Sequence, residues 1–319
     1  MPYQSKKMIP FFSVVIPLYN KELEILTTLS SVLNQTFKDF EIIIIDDGST
    51  DLSLKLLSTF NDKRIKIYTT TNQGVSSARN LGIKKAKAKY IALLDADDIW
   101  YNIHLEELNK TILKFPDSDL YCNAYEILLS KNIKKKANYN IINISAPTIV
   151  SDFFNSSMVS SIAHTSAVAF SKKAFNFIGG FNEELRSGQD TDLWIRFALQ
   201  KVIVFNPNIT MIYNNIVENS LSKSSYNQDR YKSIKGFIKE EINNTSLKKY
   251  LDVNRFALAI RCKINNELEL YKKLKKEINY KNLNFKQRTL LKFPKFLLKL
   301  IKRFQKFLIS KYIYVTSYY

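Results

Sequence analysis

The run Phe40-Glu41-Ile42-Ile43-Ile44-Ile45-Asp46-Asp47 constrains the fold of this chain more than any other stretch. Strand side chains alternate between two faces, so four consecutive isoleucines load both faces with apolar groups. Such a segment needs cover on both sides, as in the parallel sheet of an α/β protein. Apolar runs at Phe11–Pro17 and Tyr90–Leu94 and a shorter strand at Arg64–Tyr68 flank it in sequence. Leu23–Leu33 spaces its apolar residues helically, and a further helical stretch runs through Ile83–Ala88. The first 100 residues therefore predict a β-α-β-α-β-α-β half with parallel strands, of the nucleotide-binding kind.

The strand ends carry the chemistry. Leu93-Leu94-Asp95-Ala96-Asp97-Asp98 puts three carboxylates where a buried strand leaves the sheet. Open α/β sheets bind ligands at the carboxyl ends of their strands. Crowded carboxylates repel unless a cation sits among them. The pattern reads as a metal site for a substrate that brings its own phosphates. Asp98 is also placed to cap the helix expected over His104–Phe115, and Asp46 to close a turn before a helix near Thr50.

Five segments then line up in order: Val14–Asn20, Ile42–Asp51, Gln73–Gly82, Leu93–Asp98, and Gly179–Leu185 with Gly188–Arg196. Together they resemble the successive motifs of the family 2 glycosyltransferases, inverting enzymes of the GT-A fold found in bacterial cell-envelope glycan synthesis. The resemblance covers roughly residues 10–215. Each motif alone is weak; five in this order are specific. The resemblance implies a mixed α/β GT-A fold with Asp97 as ligand of Mn²⁺ or Mg²⁺ and Asp95 at the ribose or the metal shell. It implies that Asp47, Arg79 and the backbone around Pro17 and Tyr19 hold the nucleotide, with UDP favoured. A carboxylate accepts the imide N–H of uracil and an arginine donates to its carbonyls. Asp190 is the implied general base, with Gln189 where relatives carry a glutamate; Gln189 and His164 are expected at the acceptor. Asp192 is expected to pair with Arg196, Trp194 to lie in the core and His104 to be structural. Many relatives carry an Arg or His after the strand near Met211–Tyr213; here Asn214–Asn219 has neither, and Lys223 is the available cation.

Domain organisation follows the charge. Of the chain's 48 Lys and Arg, 14 fall in residues 271–319 against the single acid Glu277, although the whole chain is only +19. Residues 1–230 are expected to form the GT-A domain, 1–100 as nucleotide half and 101–230 as acceptor half; 231–319 form a basic helical region. The acceptor half predicts strands at Asp119–Leu129 and Ala167–Phe170, the first followed by a basic loop over Lys131–Asn143. Beyond Pro294, Leu297, Leu300, Ile301, Phe304, Phe307 and Leu308 fall on one helical face, and Lys295, Lys299, Lys302, Arg303 and Lys306 largely on the other. A basic amphipathic helix of this composition binds in the plane of an anionic membrane, here through residues 290–313. No motif that reads nucleic acid is present, so none is expected as partner. Cys122 and Cys262 fit no metal spacing and read as free thiols in a reducing compartment. With no signal-peptide h-region and no spanning segment, the expected location is cytoplasmic, peripheral on the inner face of the membrane.

The expected activity is metal-assisted transfer, with inversion, of one hexosyl or N-acetylhexosaminyl unit from a UDP-sugar to a hydroxyl of a glycan or lipid-linked acceptor. A catalytically degenerate nucleotide-binding scaffold is the alternative. A nucleotidyltransferase fits less well, because the basic glycine-rich loop after the first strand is missing.

Overall fold

A computed structural model describes residues 9–141, 144–218, 220–310 and 313. The ends of the expected basic loop (142–143) and of the membrane segment (311–312), Asn219, the termini and the Lys306 side chain lie outside the described residues. Among the described residues the strands are β1 (Phe12–Leu18), β2 (Phe40–Asp46), β3 (Ile65–Thr69), β4 (Tyr90–Leu93), β5 (Ile99–Trp100), β6 (Leu120–Ser130), β7 (Ile133–Lys136), β8 (Thr148–Ile149), β9 (Val168–Ser171) and β10 (Ile203–Asn214). They join one sheet in the order β3-β2-β1-β4-β9-β6-β10-β5, with β7 on β6 and β8 on β10. β3, β2, β1 and β4 are mutually parallel, as the sequence predicts. β9 runs antiparallel to both β4 and β6 and so joins the two halves.

The helices are α1 (Ile25–Leu33), α2 (Ser53–Leu57), α3 (Val75–Lys85), α4 (His104–Lys114), α5 (Phe153–Ser156), α6 (Lys172–Ile178), α7 (Gln189–Gln200), α8 (Asn227–Lys235), α9 (Thr245–Asn265), α10 (Leu268–Glu277), α11 (Phe285–Lys292) and α12 (Lys295–Ser310). They cover both faces of the sheet. Ile42 and Ile44 join one buried cluster with Ile25 and Leu29 of α1 and Leu105 and Leu108 of α4. Ile43 and Ile45 join the other, with Ala78 of α3, Leu193 and Phe197 of α7, and Leu251 and Leu258 of α9. The four isoleucines are thus divided between two cores, which is why no polar residue interrupts them.

α3 lies very close to the sheet. A Cβ on Gly82 would sit 2.4 Å from Val15 Cγ1 and 3.2 Å from Ile45 Cγ1, so only glycine fits there without displacing β1. The segment expected as a basic loop instead contains β7, antiparallel to β6. The helix expected near Thr50 begins at Ser53. Residue 230, the expected boundary, lies inside α8, and Leu247, Leu274 and Leu291 beyond it are buried in the same cluster as Val15 of β1.

No described helix is long and apolar enough to cross a membrane. α12 seats Leu298 in the fold at 3% exposure, while Phe296, Leu300, Phe304 and Phe307 are 72%, 58%, 57% and 56% exposed. These four recur at helical spacing and form one uncovered stripe. Of the face expected from sequence, Leu297, Ile301 and Leu308 are half-buried and Phe296 takes a place on the exposed side.

Candidate active site

The carboxyl ends of β1, β2 and β4, the start of α3 and the start of α7 open onto one cavity of about 1010 Å³. At one end lie Pro17, Tyr19, Asp47, Arg79, Asp95 and Asp97; His164, Gln189 and Asp190 line the same space. The sequence places these residues in six separate segments, and the fold gathers all of them.

β2 ends at Asp46, whose Oδ1 accepts from Ser49 N at 3.1 Å, the expected turn. Asp47 points the other way and is buried. Its Oδ1 accepts from Gln73 N (2.9 Å) and its Oδ2 from Gly74 N (2.8 Å), so it fixes the first turn of α3. That helix presents Arg79, only 4% exposed, which donates from Nη2 to Asp95 and lies 5.1 Å over the Phe181 ring. Arg79 Nε and Nη1 have no partner among the described residues. Buried donors of this kind are costly unless a ligand meets them.

Asp97 Oδ2 pairs with Lys21 Nζ at 2.7 Å. Burial raises the Asp97 carboxyl above the usual range; Lys21 opposes this and the charge of Asp95 adds to it. Asp98 is 1% exposed and does not cap a helix. Its Oδ2 accepts from Ser166 Oγ (2.5 Å) and its Oδ1 from Asn214 N (2.9 Å). The reason is that Ile99–Trp100 pair with β10 as β5, so α4 starts at His104, with Ile103 at its N-cap. Burial, then the charges of Asp97 and Asp95, push the Asp98 carboxyl well above its ordinary value.

A metal fits this arrangement. Asp95 and Asp97 supply hard oxygen donors, and among the described residues they pair with Arg79 and Lys21, while Asp98 beside them is held by Ser166 and Asn214. Burial is the first cause of the raised Asp97 and Asp98 carboxyls, and the neighbouring carboxylate charges add to it. Among the described residues no group of three or more His, Cys, Asp or Glu is disposed to hold an ion alone. Mg²⁺ commonly takes one or two carboxylates and completes its shell with phosphate and water.

On the other wall, α7 starts from Gly188, at φ +87°. A Cβ there would sit 2.7 Å from Ser233 Oγ and 3.3 Å from Arg230 Cα, so glycine lets α8 pack onto the entry of α7. Asp190 Oδ1 accepts from Thr191 N at 2.8 Å. Gln189 is buried and its Oε1 has no partner among the described residues. His164 Nδ1 accepts from Ser166 N at 3.3 Å, which leaves the ring proton on Nε2. Burial lowers the His164 pKa, while the charges of Asp95 and Asp190 raise it.

Three structural expectations match the packing. Asp192 pairs with Arg196 at 2.6 Å. Trp194 is 3% exposed, among Phe170, Phe181 and Phe197. His104 is fully buried against Trp100 with Nδ1 2.7 Å from Thr210 Oγ1, and burial pushes its pKa down to about 3. Lys223 Nζ donates to Val217 O (2.8 Å) and is not among the lining residues. Sequence reading missed Lys21, Arg186, Arg230 and Arg261, which do line the cavity. Lys21 was findable, since it follows the first motif directly. Nothing local marks the three arginines.

Comparison with known proteins agrees with this geometry. Residues 13–178 match the family model described as glycosyl transferase family 2. An uncharacterized glycosyltransferase of Rickettsia felis is 37% identical over 196 residues, 60% of this chain and 31% of that protein. The Escherichia coli UDP-Glc:alpha-D-GlcNAc-diphosphoundecaprenol beta-1,3-glucosyltransferase WfgD is 39% identical over 125 residues, 39% of this chain and 49% of that protein. The match thus spans less than a third of the Rickettsia felis relative and about half of WfgD. The S. aureus TarS 1-349 structure with UDP-GlcNAc superposes with a TM-score of 0.70 at 19% identity, covering 96% of this chain and 93% of that one, a likeness of fold. With its family motifs gathered at one cavity and the family model matching more than half of its length, the chain belongs to glycosyl transferase family 2.

Proposed function

We propose that this chain transfers one hexosyl or N-acetylhexosaminyl unit from a UDP-sugar to a hydroxyl of a glycan or lipid-linked acceptor of the bacterial envelope, with inversion. The observation that carries the reading is the convergence of Asp47, Arg79, Asp95, Asp97 and Asp190 on one cavity. WfgD, by its name, uses UDP-Glc, and TarS was solved with UDP-GlcNAc; both support a UDP-sugar here.

Each group has a role in this reading. Asp47 and the backbone at Pro17 and Tyr19 hold the base and ribose. The unpartnered Nε and Nη1 of Arg79 donate to nucleotide oxygens. Asp97, helped by Asp95, holds Mn²⁺ or Mg²⁺, which when bound stabilises charge on the leaving diphosphate as a Lewis acid. Asp190 takes the proton of the acceptor hydroxyl as that oxygen bonds to the anomeric carbon and the bond to the diphosphate breaks. His164 Nε2 and Gln189 Oε1 orient the acceptor. The exposed stripe of α12 and its lysines hold the chain on an anionic membrane, at the cytoplasmic face.

A thermal-shift screen of UDP, GDP, TDP and CMP with and without Mn²⁺ tests the donor half of the reading, because a ligand of the native state raises its melting temperature. UDP is expected to act only with metal, and Asp97→Ala to abolish the shift. No shift with any nucleotide refutes it. UDP binding without sugar transfer favours the scaffold alternative.

A further inference from the structure

The wall of the cavity built by α8 and α9 carries two arginines with no place in the roles above. Arg230 Nη1 donates to Ser224 O and to Asn227 Oδ1, each at 3.0 Å, and its Nη2 to Leu221 O at 2.8 Å. Arg261 Nη1 donates to Ser222 O at 2.9 Å, and its Nη2 to Ser224 O. The two guanidiniums therefore sit on one short stretch of main chain, side by side. The other cations lining the cavity are paired: Lys21 with Asp97, Arg79 with Asp95, and Arg186 with Asp229 at 3.1 Å. Among the described residues neither Arg230 nor Arg261 has a carboxylate at ion-pair distance.

Carbonyl oxygens orient these groups without pairing their charges; Asp190 and Asp229 act on Arg230, and Glu267 on Arg261, only from beyond ion-pair distance. Holding the 221–224 stretch needs only N–H donors, which a neutral amide supplies without bringing two like charges together. Burial and the neighbouring charge of Arg261 pull the Arg230 pKa down to about 10, in keeping with that repulsion. Of the acids that act on Arg230, Asp190 lines the cavity, and the Arg230 Cα would lie 3.3 Å from a Cβ on Gly188, two residues before Asp190. The pair thus belongs to the acceptor wall, whereas Arg79 and Lys21 stand at the donor end.

We propose that Arg230 and Arg261 form a subsite for a phosphate group carried by the acceptor. The inference rests on the transferase reading and narrows its acceptor to one bearing a phosphate ester or diphosphate near the reacting hydroxyl. A phosphate oxyanion placed across two guanidiniums gains charge-assisted hydrogen bonds from both. It also supplies a counter-charge at ion-pair distance, which no carboxylate among the described residues does. The Ser222 hydroxyl, on the same wall, is an additional neutral donor.

Phosphate in this cavity has two sources, the donor's diphosphate and the acceptor, and the test separates them. The full chain is saturated with UDP and Mg²⁺ and titrated with phenyl phosphate by ligand-observed NMR, with benzyl alcohol as uncharged control. Phenyl phosphate is expected to bind alongside UDP, and benzyl alcohol not to. Arg261→Gln is expected to weaken phenyl phosphate at least about tenfold, the loss of one hydrogen bond to a charged group, with UDP affinity unchanged. Arg261→Lys, which keeps the charge, retains most of the binding and guards against a folding artefact. Displacement of phenyl phosphate by UDP, equal binding of benzyl alcohol, or a matching loss of UDP affinity in Arg261→Gln overturns the proposal. A chain that binds no UDP fails the transferase reading separately, and the titration without nucleotide still reads the arginine pair.

Discussion

Replacing Asp98 by alanine and by asparagine separates its hydrogen bonds from its charge. Alanine removes the acceptors of the Ser166 hydroxyl and the Asn214 N–H, held at 2.5 and 2.9 Å. Leaving a buried donor unsatisfied costs about 1–3 kcal/mol. Two such losses, offset in part by relief of the repulsion from Asp97 and Asp95, give an expected destabilisation of about 2–4 kcal/mol. Asparagine keeps Oδ1 for Asn214 N and offers Nδ2 to Ser166 Oγ, without the charge. Its expected loss is under about 1 kcal/mol. The pH dependence has a definite sign. The Asp98 carboxyl is raised, so the native state keeps a proton that the unfolded chain releases. That contribution is fully present below the ordinary carboxylate pKa and is lost as pH rises toward the raised value. Asp98→Asn therefore gains on the parent as pH climbs through that window. Urea unfolding at several pH values measures both effects, with the slope m checking that the transition is unchanged. Equal losses in the two variants at pH 7, or an alanine variant within about 0.5 kcal/mol of the parent, refute the reasoning.

Other perturbations have equally definite outcomes. His104 stays neutral in the native state to about pH 3, whereas an unfolded histidine protonates below about 6.5, so stability is lost as pH falls across that interval by up to about 1.4 kcal/mol per unit; His104→Gln should flatten this acid limb, and an unchanged slope counts against it. Asp190→Asn should lower kcat by about 10²-fold or more while UDP still binds, and full turnover would remove it as the base. Gly82→Ala gains about 1 kcal/mol of helix propensity but drives a Cβ to 2.4 Å from Val15 Cγ1, an overpacking cost of about 1–3 kcal/mol; the melting temperature should fall, and a rise would show that β1 yields freely. Phe304→Glu with Phe307→Glu should weaken sedimentation with anionic vesicles at unaltered melting temperature, since both rings are exposed; undiminished sedimentation refutes the membrane role.

The parallel half of the sheet was legible because its strands are buried on both faces. Continuous apolar runs have few other uses, and the residues after them fall at strand ends whatever the details of packing. β7 was not legible: Ile133-Lys134-Lys135-Lys136 carries no apolar pattern and is a strand only because β6 offers an edge. Asp98 was misread as a cap because its partners lie 68 and 116 residues away, and nothing near Asp98 announces Ser166 or Asn214. Arg230 and Arg261 were hidden by the surrounding lysines, which make α8 and α9 look like ordinary solvated helices. What local pattern cannot show is which basic residue of a helix faces inward, because that depends on how α9 is set against the rest.

The shared core also bears on where this chain can be cut. The family match ends at 178, and the lysine-rich stretch invites truncation soon after α8. Either cut would bare the surfaces that Leu247, Leu251 and Leu258 cover and strip one side from the cavity, since Asn254, Ala257 and Arg261 would go with them. The smallest autonomous unit extends at least to Leu291, the last residue of that cluster. A fragment stopped at the recognisable motifs would keep the cavity carboxylates and lose the core that is built around them, whereas trimming only α12 would remove the buried Leu298 but spare that cluster.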